Sequence, residues 1–258
     1  MWTRGELKER GKIAFKANYW KCVLVGVILA LISGGLSSGS SYKSGGNFAQ
    51  QSEQMKENFS NASPEAITAA VIGVLAVVFI IVLVAVVIGF IVAAFLLNPV
   101  KVGCLRFFVR NLDEPAELSN LSRGFEGNYK NVVRVLFFRD LYLLLWNLIP
   151  VAGFFIGIYK YYEYYMIPYI MGDDPDMDRD EAFALSKEMM DGQKWNTFVL
   201  GLSFIGWHIL SIFTIGILEI FYVEPYVQST KAALYETLSD GYTDNVVVDS
   251  NNGYIAGN

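Results

Sequence analysis

The stretch DPDMDRDEAFALSKEMMDGQKWNTFVLGLSFIGW, residues 174–207, decides the fold of this chain. It contains an acidic turn, a short amphipathic helix, a joint of small, polar and aromatic residues, and an apolar segment. The joint is Gly192-Gln193-Lys194-Trp195, and Trp and Lys side chains are favoured at the headgroup level of a membrane. The stretch therefore predicts a helix on the bilayer surface that leads into a membrane span. In that helix we expect the pair Met189-Met190 to be buried and Glu181 and Lys187 to face water.

The same order of elements occurs twice upstream, with joints at Ala17-Asn18-Tyr19-Trp20 and Gly127-Asn128-Tyr129-Lys130. Before each joint, apolar or small residues recur every three or four positions, which gives each helix one face of apolar or small side chains. These residues are Leu7, Gly11 and Ala14 in the first copy, Leu118, Leu121 and Phe125 in the second, and Phe183, Ser186 and Met190 in the third.

Each copy also ends on a proline with an aromatic residue four positions before it. A proline inside a helix leaves the carbonyl four residues back without its usual donor. The pattern favours a threefold internal repeat over coincidence in an aromatic-rich chain. The pairs are Phe95 with Pro99, Tyr164 with Pro168, and Phe221 with Pro225.

Composition indicates an integral membrane protein. Of the 258 residues, 53% are hydrophobic and only 17% are charged, whereas soluble domains carry about 25% charged residues. Residues 66–100 contain no charged residue. A helix over residues 66–97 would be about 48 Å long, against roughly 30 Å of hydrocarbon, so we expect it to tilt, bend or protrude. Cys22 and Cys104 are expected to be reduced structural thiols.

The predicted fold class is an all-α membrane protein with six transmembrane helices in three repeated units, each an interfacial amphipathic helix followed by a transmembrane hairpin. We predict one membrane domain over residues 1–240 and a mobile tail over 241–258. The repeat units are expected at about 1–110, 111–175 and 176–240. The spans are expected at about 20–36, 66–97, 132–149, 152–171, 195–213 and from 216 onward.

Charge predicts the orientation of this domain. The segments expected on the inner side hold 15 Lys or Arg residues, whereas residues 37–64 hold Lys43 and Lys56. The positive-inside rule then puts both termini in the cytoplasm and makes residues 37–64 an extracytoplasmic loop. A signal peptide would resemble the first segment in outline, but the long charged start, which matches the other two copies, favours a retained helix.

A set of motif residues resembles the signature of an uncharacterised bacterial family of multi-pass membrane proteins, the domain of unknown function 975 family. The resemblance covers nearly the whole chain apart from the loop and the tail. It implies a bacterial plasma-membrane location and supplies no catalytic residue. The residues that carry it are Asn18, Tyr19, Trp20, Pro168, Asp174, Pro175, Ser186, Gly192, Lys194, Ser203, Gly206, Trp207 and Pro225.

Several ionisable residues fall inside the predicted spans, where each unpaired charge costs a few kcal/mol. We therefore expect them to face the bundle interior and to pair, with Arg139 or Lys160 approaching an acidic partner. They form either a polar site for a charged headgroup or solute, or a set of structural ion pairs. His208 is more typical of a hydrogen bond between helices than of a ligand. The full set is Arg139, Asp140, Lys160, Glu163, His208, Glu219 and Glu224.

The remaining patterns limit the function. An EF-hand loop that began at Asp174 would need glycine and glutamate where Arg179 and Leu185 stand, so the acidic run is better explained as helix capping. No metal, cofactor or catalytic residue is predicted, and the expected partners are membrane lipids rather than nucleic acid, with protein partners and oligomeric state left open. The favoured function is transport or handling of a lipid or small charged solute. A non-catalytic scaffold or regulator is the alternative, and an intramembrane enzyme comes third.

Overall fold

The computed structural model describes residues 2–32, 63–149 and 152–251, and the regular structure within these ranges is entirely helical. The predicted all-helical class is therefore confirmed. The chain divides into two units, residues 36–93 and the remainder. The predicted outer loop at 37–64 lies outside the described residues apart from its end, as do residues 252–258 of the predicted tail.

Eleven α-helices are described, and three shorter segments have other helical geometry. The α-helices are α1 (Arg4–Ala17), α2 (Tyr19–Ile32), α3 (Pro64–Val92), α4 (Asn98–Arg110), α5 (Tyr129–Asn147), α6 (Ala152–Glu163), α7 (Ile167–Asp173), α8 (Arg179–Met189), α9 (Lys194–Leu202), α10 (Ile205–Phe213) and α11 (Glu224–Asn251). The others are a 3₁₀ segment over Leu118–Phe125 and π-helical turns over Ala93–Leu97 and Glu219–Val223.

The smaller unit consists, in its described part, of α3. Its apolar side chains point outward around the whole helix; Ile72 is 62% exposed and Phe79 is 67% exposed. A helix that is apolar on every side is stable only inside a protein core or in a membrane. The prediction of a lipid-facing span for this stretch is consistent with that exposure.

Two described stretches are long and apolar enough to cross a membrane. They are Thr68–Arg110, with 43 residues, and Lys194–Phe213, with 20 residues. The helices α1 and α2 meet at 109° and would supply a third span if they are counted as one broken segment. The predicted span at 152–171 is divided between α6 and α7, and α5 carries Arg134, Arg139 and Asp140, so neither has the length and apolarity of the first two.

The three predicted joints are sharp breaks between helices. The α1–α2 corner lies at Asn18, while the second and third joints contain Gly127 (φ 61°) and Gly192 (φ 67°) at the same relative position. Glycine adopts these left-handed backbone angles without steric cost. Trp20 and Trp195 follow the first and third breaks and are 72% and 71% exposed, as expected for rings at the headgroup level.

The prolines begin new helices, as their missing N–H group requires. Pro99 and Pro168 lie in the first turns of α4 and α7, and a π-helical turn precedes both Pro99 and Pro225. The carbonyl that Pro99 cannot reach, that of Phe95, accepts a hydrogen bond from the Tyr129 hydroxyl at 2.6 Å. A tyrosine of the second joint therefore supplies the hydrogen-bond donor that the first proline removes.

The burial of α8 confirms its predicted amphipathic character. Met189 and Met190 are 5% and 0% exposed, while Glu181 and Lys187 are exposed. Asp178 caps the helix by accepting a hydrogen bond from the N–H of Asp180 at 3.0 Å, which agrees with the capping role predicted for the acidic run.

The second interfacial segment differs from the prediction. It is a 3₁₀ helix rather than an α-helix. Leu118 and Phe125, predicted on its apolar face, are 40% and 42% exposed. The reason is a backbone contact with α4. A Cβ atom on Gly103 would lie 2.0 Å from the Leu121 carbonyl oxygen, and one on Gly124 would lie 1.8 Å from the Pro99 carbonyl oxygen. The segment and α4 therefore approach each other through backbone at two glycines.

The other two interfacial helices also pack closely. A Cβ on Gly11 of α1 would lie 2.7 Å from the backbone N of Thr230 in α11. Ser186 of α8 donates to the Glu163 carbonyl at 2.8 Å and accepts from the N–H of Met166 at 3.3 Å. The buried core of the larger unit lies where these helices meet the segments that follow the prolines, and includes Phe15, Phe107, Phe108, Met171, Met190 and Leu234.

Candidate functional site

Arg139 on α5 is a buried member of the predicted polar set, with 8% of its surface exposed. Its Nε and Nη2 atoms donate to one carboxylate oxygen of Asp140, at 2.9 and 2.6 Å. The other carboxylate oxygen accepts from the Asn98 amide at 2.6 Å, and Asn98 is itself 7% exposed. This network holds the start of α4 against the middle of α5.

Two lysines that the sequence analysis did not select complete this group. Lys101 lies one helical turn after Asn98 on α4, and Lys231 lies on α11, which packs against α4. We call Lys101, Arg139, Asp140 and Lys231 the polar cluster. It contains three cations, from α4, α5 and α11, and one carboxylate, that of Asp140. Lys101 lies just beyond the predicted span at 66–97, so the sequence alone did not place it among the charges inside a span.

The other predicted site residues form separate local contacts. Lys160 donates to Glu163 at 2.8 Å, one turn later on α6, and Glu163 is 4% exposed. The predicted approach of Arg139 or Lys160 to an acidic partner is thus confirmed for Lys160 and Glu163. Both residues lie on one helix, however, so this contact links no two spans.

The last three predicted groups lie near the end of the chain. His208 Nδ1 and Glu219 Oε1 are 3.0 Å apart across the turn between α10 and the second π-helical turn, which confirms the hydrogen bond between helical segments predicted for this histidine. Glu224 accepts from the Gln228 amide at 2.7 Å within α11. The seven residues are therefore distributed over four places, and only the pair Arg139–Asp140 belongs to the polar cluster.

The motif residues occupy hinges, caps and breaks. The Asn18 amide donates to Asn111 Oδ1 at 2.7 Å and to the Ala116 carbonyl at 2.9 Å, which fixes the corner between α1 and α2. The Lys8 ammonium donates to the Ser203 carbonyl at 3.0 Å, where α9 ends. Each of these contacts supplies a partner to backbone that a helix break would leave unpaired.

Other motif positions build the turns on either side of α8. Asp174 accepts from the N–H of Asp176 at 3.0 Å, and the Asn131 amide donates to the carbonyls of Pro175 and Met177 at 3.0 and 2.8 Å. Lys194 lies over the ring of Tyr159, with its Nζ 4.5 Å from the ring centroid. These roles are structural, so the motif describes how the chain bends rather than a reaction that it performs.

Comparison with known proteins identifies one similarity. Residues 152–241 match the family model described as Protein of unknown function (DUF975). No curated protein and no solved structure matches the chain. The matched range includes the motif residues from Pro168 to Pro225, while Asn18, Tyr19 and Trp20 precede it. The match confirms, over residues 152–241, the resemblance predicted from the sequence.

Proposed function

We propose that the protein is a multi-pass protein of the bacterial plasma membrane that handles a small anionic solute or an anionic lipid headgroup at the polar cluster. The observation that carries this proposal is the surplus of positive charge there: Arg139 pairs with Asp140, and Lys101 and Lys231 form no ion pair within the described ranges. Removing charges from water is costly unless they are paired. An anion bound between the cations would provide the missing negative charge.

The packing of the interfacial segments supports the proposed three repeated units. The first, α1, packs on α11, which carries Pro225; the second packs on α4, which carries Pro99; and the third, α8, packs on α7, which carries Pro168. Each segment thus contacts the post-proline helix of a different unit, in the order expected for a closed threefold arrangement. Six spans, with both termini in the cytoplasm, remain part of this proposal.

The joints provide a second line of support for the repeat. Asn18, at the first joint, donates to the carbonyl that follows Pro115, and Asn131, beside the second joint, donates to the carbonyl of Pro175. Both prolines follow two acidic residues at the end of a post-proline helix. A similar contact, from an asparagine near a joint to the backbone of an acidic, proline-containing turn, therefore occurs in two units.

A non-catalytic scaffold is the second candidate, and the local pairs favour it. Lys160 with Glu163 and His208 with Glu219 are satisfied within neighbouring turns, as expected if the charges serve only to stabilise the bundle. The two functions differ in one respect. A scaffold needs no anion at the polar cluster, whereas the handling of an anionic ligand requires one.

The experiment is thermal unfolding of the purified full chain in detergent, with and without inorganic phosphate, sulfate, citrate, or phosphatidylglycerol in the mixed micelle. A ligand that binds only the folded protein raises the unfolding midpoint as its concentration rises. We expect at least one anion to do this, and we expect Lys101→Met to reduce the shift. Without a ligand, Lys101→Met should be as stable as the unmodified chain or more stable, because it removes a charge in surplus.

Lys130→Met is the matched control, since Lys130 is exposed at the second joint and makes no ion pair within the described ranges. It should retain the full anion-dependent shift. Two results would contradict the proposal and favour the scaffold. One is an unfolding midpoint of the unmodified chain that no anion changes, and the other is an anion-dependent shift in Lys101→Met equal to that of the unmodified chain.

A further inference from the structure

A second polar pocket lies between α4 and the 3₁₀ segment, apart from the residues of the polar cluster. It has a volume of about 320 Å³. Three of its lining residues are arginines, and we call it the arginine pocket. Its lining consists of Arg106, Arg110, Ser119, Asn120, Arg123 and Glu126.

The fold creates this pocket by bringing two backbones together. Arg106 and Arg110 lie four residues apart and therefore project from the same face of α4. The contacts at Gly103 and Gly124 leave no room for a side chain between α4 and the 3₁₀ segment. Arg123, next to Gly124, is thereby held beside the two arginines of α4.

The arginines are incompletely neutralised. Arg106 forms an ion pair with Asp173, while Arg110 has no ion pair within the described part of the chain. Arg123 and Glu126 are at the limit of ion pairing, with 4.0 Å between Nη1 and Oε2. The Nε atom of Arg123 is buried and has no hydrogen-bond partner among the described residues. A buried donor without a partner is costly, so a hydrogen-bond acceptor that reached this atom would be stabilising.

Asp173 is also held by another residue, which prevents it from serving the rest of the pocket. The hydroxyl of Tyr235 donates to the second carboxylate oxygen of Asp173. Burial raises the pKa of Tyr235 to about 12, so the hydroxyl keeps its proton at neutral pH. The carboxylate is therefore engaged by Tyr235 and Arg106, and Arg110 and Arg123 remain available to an external anion.

We propose that the arginine pocket binds the phosphate group of an anionic ligand. Guanidinium groups match phosphate oxygens with paired hydrogen bonds, which makes arginine the preferred residue for such sites. Asn120 uses one amide hydrogen on the Glu117 carbonyl at 2.9 Å, and its second amide hydrogen can reach a ligand. The proposal does not rest on the function proposed for the polar cluster, because it uses other residues.

The phosphate has two chemically equivalent sources. Arg106 and Arg110 lie at the end of the apolar stretch Thr68–Arg110, which is where a lipid phosphate would be found if this stretch crosses a membrane. A soluble phosphate compound would reach the same pocket from water. Both use the same arginines, so the experiment has one arm for each.

The soluble arm titrates inorganic pyrophosphate into the full chain in a zwitterionic detergent. The lipid arm compares retention of phosphatidylglycerol and of phosphatidylcholine by the same chain, using native mass spectrometry. In whichever arm binds, we expect the double variant Arg110→Gln, Arg123→Gln to weaken binding by about tenfold or more, because hydrogen bonds to charged groups are the strong ones. Arg134→Gln is the matched control, since Arg134 is exposed and lies outside the pocket.

The results separate the sources and test the proposal. Arginine-dependent binding of pyrophosphate supports a soluble ligand, and arginine-dependent preference for phosphatidylglycerol supports a lipid. The proposal is wrong if the double variant binds the probes with the same affinity as Arg134→Gln. It is also wrong if the unmodified chain binds neither probe. Should the double variant not fold, modification of Arg110 in the unmodified chain by phenylglyoxal decides instead. Protection by the probe supports the proposal, and an unchanged modification rate overturns it.

Failure here is distinguishable from failure at the polar cluster. Lys101→Met tests one site and the Arg110, Arg123 double variant tests the other. A chain that loses only one of the two anion responses retains the other proposal intact.

Discussion

A single hydroxyl pairs two backbone groups at the break between α6 and α7. Ser186 is fully buried, donates to the Glu163 carbonyl and accepts from the N–H of Met166. We expect Ser186→Ala to lower the free energy of unfolding by about 1–3 kcal/mol, because both groups would remain buried without a partner. Denaturant unfolding in detergent measures this. Ser122→Ala, at an exposed site, should change the value by less than about 0.5 kcal/mol; equal effects of the two changes would contradict the assignment.

Ile215 has a backbone conformation that its side chain opposes. Its φ is 55°, and the side chain is 93% exposed in the turn after α10. A branched residue in the left-handed region is strained by roughly 1–2 kcal/mol, so Ile215→Gly should raise the free energy of unfolding. The control is Ile212→Gly, at an exposed helical position, which should lower it by about 1 kcal/mol. The same unfolding assay measures both, and a loss of stability in Ile215→Gly would show that the side chain is needed there.

At the residue scale, sequence spacing predicted contacts within a helix and missed those between helices. Lys160 and Glu163 are three residues apart, so their pairing follows from helical geometry alone. Lys101 and Lys231 are distant in sequence and meet only because α4 packs on α11. One sequence contains no information on which helices are neighbours, and the polar cluster could therefore not be assembled from it.

At the element scale, the contact between the Tyr129 hydroxyl and the Phe95 carbonyl explains how the chain tolerates Pro99. Tyr129→Phe removes this hydrogen bond and should lower the free energy of unfolding by about 1 kcal/mol. In a Pro99→Ala background the helix regains an N–H group for that carbonyl, so the same change should cost much less. A double-mutant cycle of unfolding free energies measures the coupling. Equal effects in the two backgrounds would show that the hydroxyl does not compensate the proline.

The start of α1 provides a pH-dependent test at the same scale. The backbone N–H of Thr3 donates to the Glu6 carboxylate at 2.9 Å, and hydrogen bonds from Thr3 hold the pKa of Glu6 below its ordinary value of 4.5. The ionised carboxylate therefore stabilises the start of α1 at pH values above the ordinary pKa of glutamate. This stabilisation is lost as the pH falls through the lowered pKa of Glu6. Carbon NMR of labelled Glu6 measures its titration. Thr3→Ala keeps the backbone N–H and removes the hydroxyl, so it should raise the pKa part of the way toward 4.5; an unchanged titration would contradict the capping box.

Breaks were easier to predict than the elements between them. The joints at Asn18, Gly127 and Gly192 follow from small and polar residues that end helices, and all three are breaks in the structure. The 3₁₀ segment was predicted as an amphipathic helix because its apolar spacing was read without its neighbour. Lys8 of α1 donates to the Ser203 carbonyl in the middle of the apolar stretch Lys194–Phe213, a contact between distant residues that helical spacing does not predict.

At the scale of the whole molecule, composition predicted the all-helical class and the apolar stretches, while the number of spans depends on how broken helices are counted. Thr68–Arg110 and Lys194–Phe213 qualify by length and apolarity, and the α1–α2 pair qualifies only when joined across its corner. The segments α5 to α7 combine charges with a break, so length alone does not classify them. Their placement follows from the proposed repeat rather than from hydropathy.

Cysteine accessibility in intact cells is the most direct test of the proposed three-unit membrane protein with both termini on one side. Single cysteines are introduced at Ser44, Ile215, Asp191 and Ser239 and treated with a membrane-impermeant thiol reagent. Native Cys22 and Cys104 are fully buried, so the unmodified chain should give little background. We predict that cysteines at 44 and 215 react in intact cells, whereas those at 191 and 239 react only after permeabilisation. Labelling of all four in intact cells, or the reverse pattern, would contradict the account.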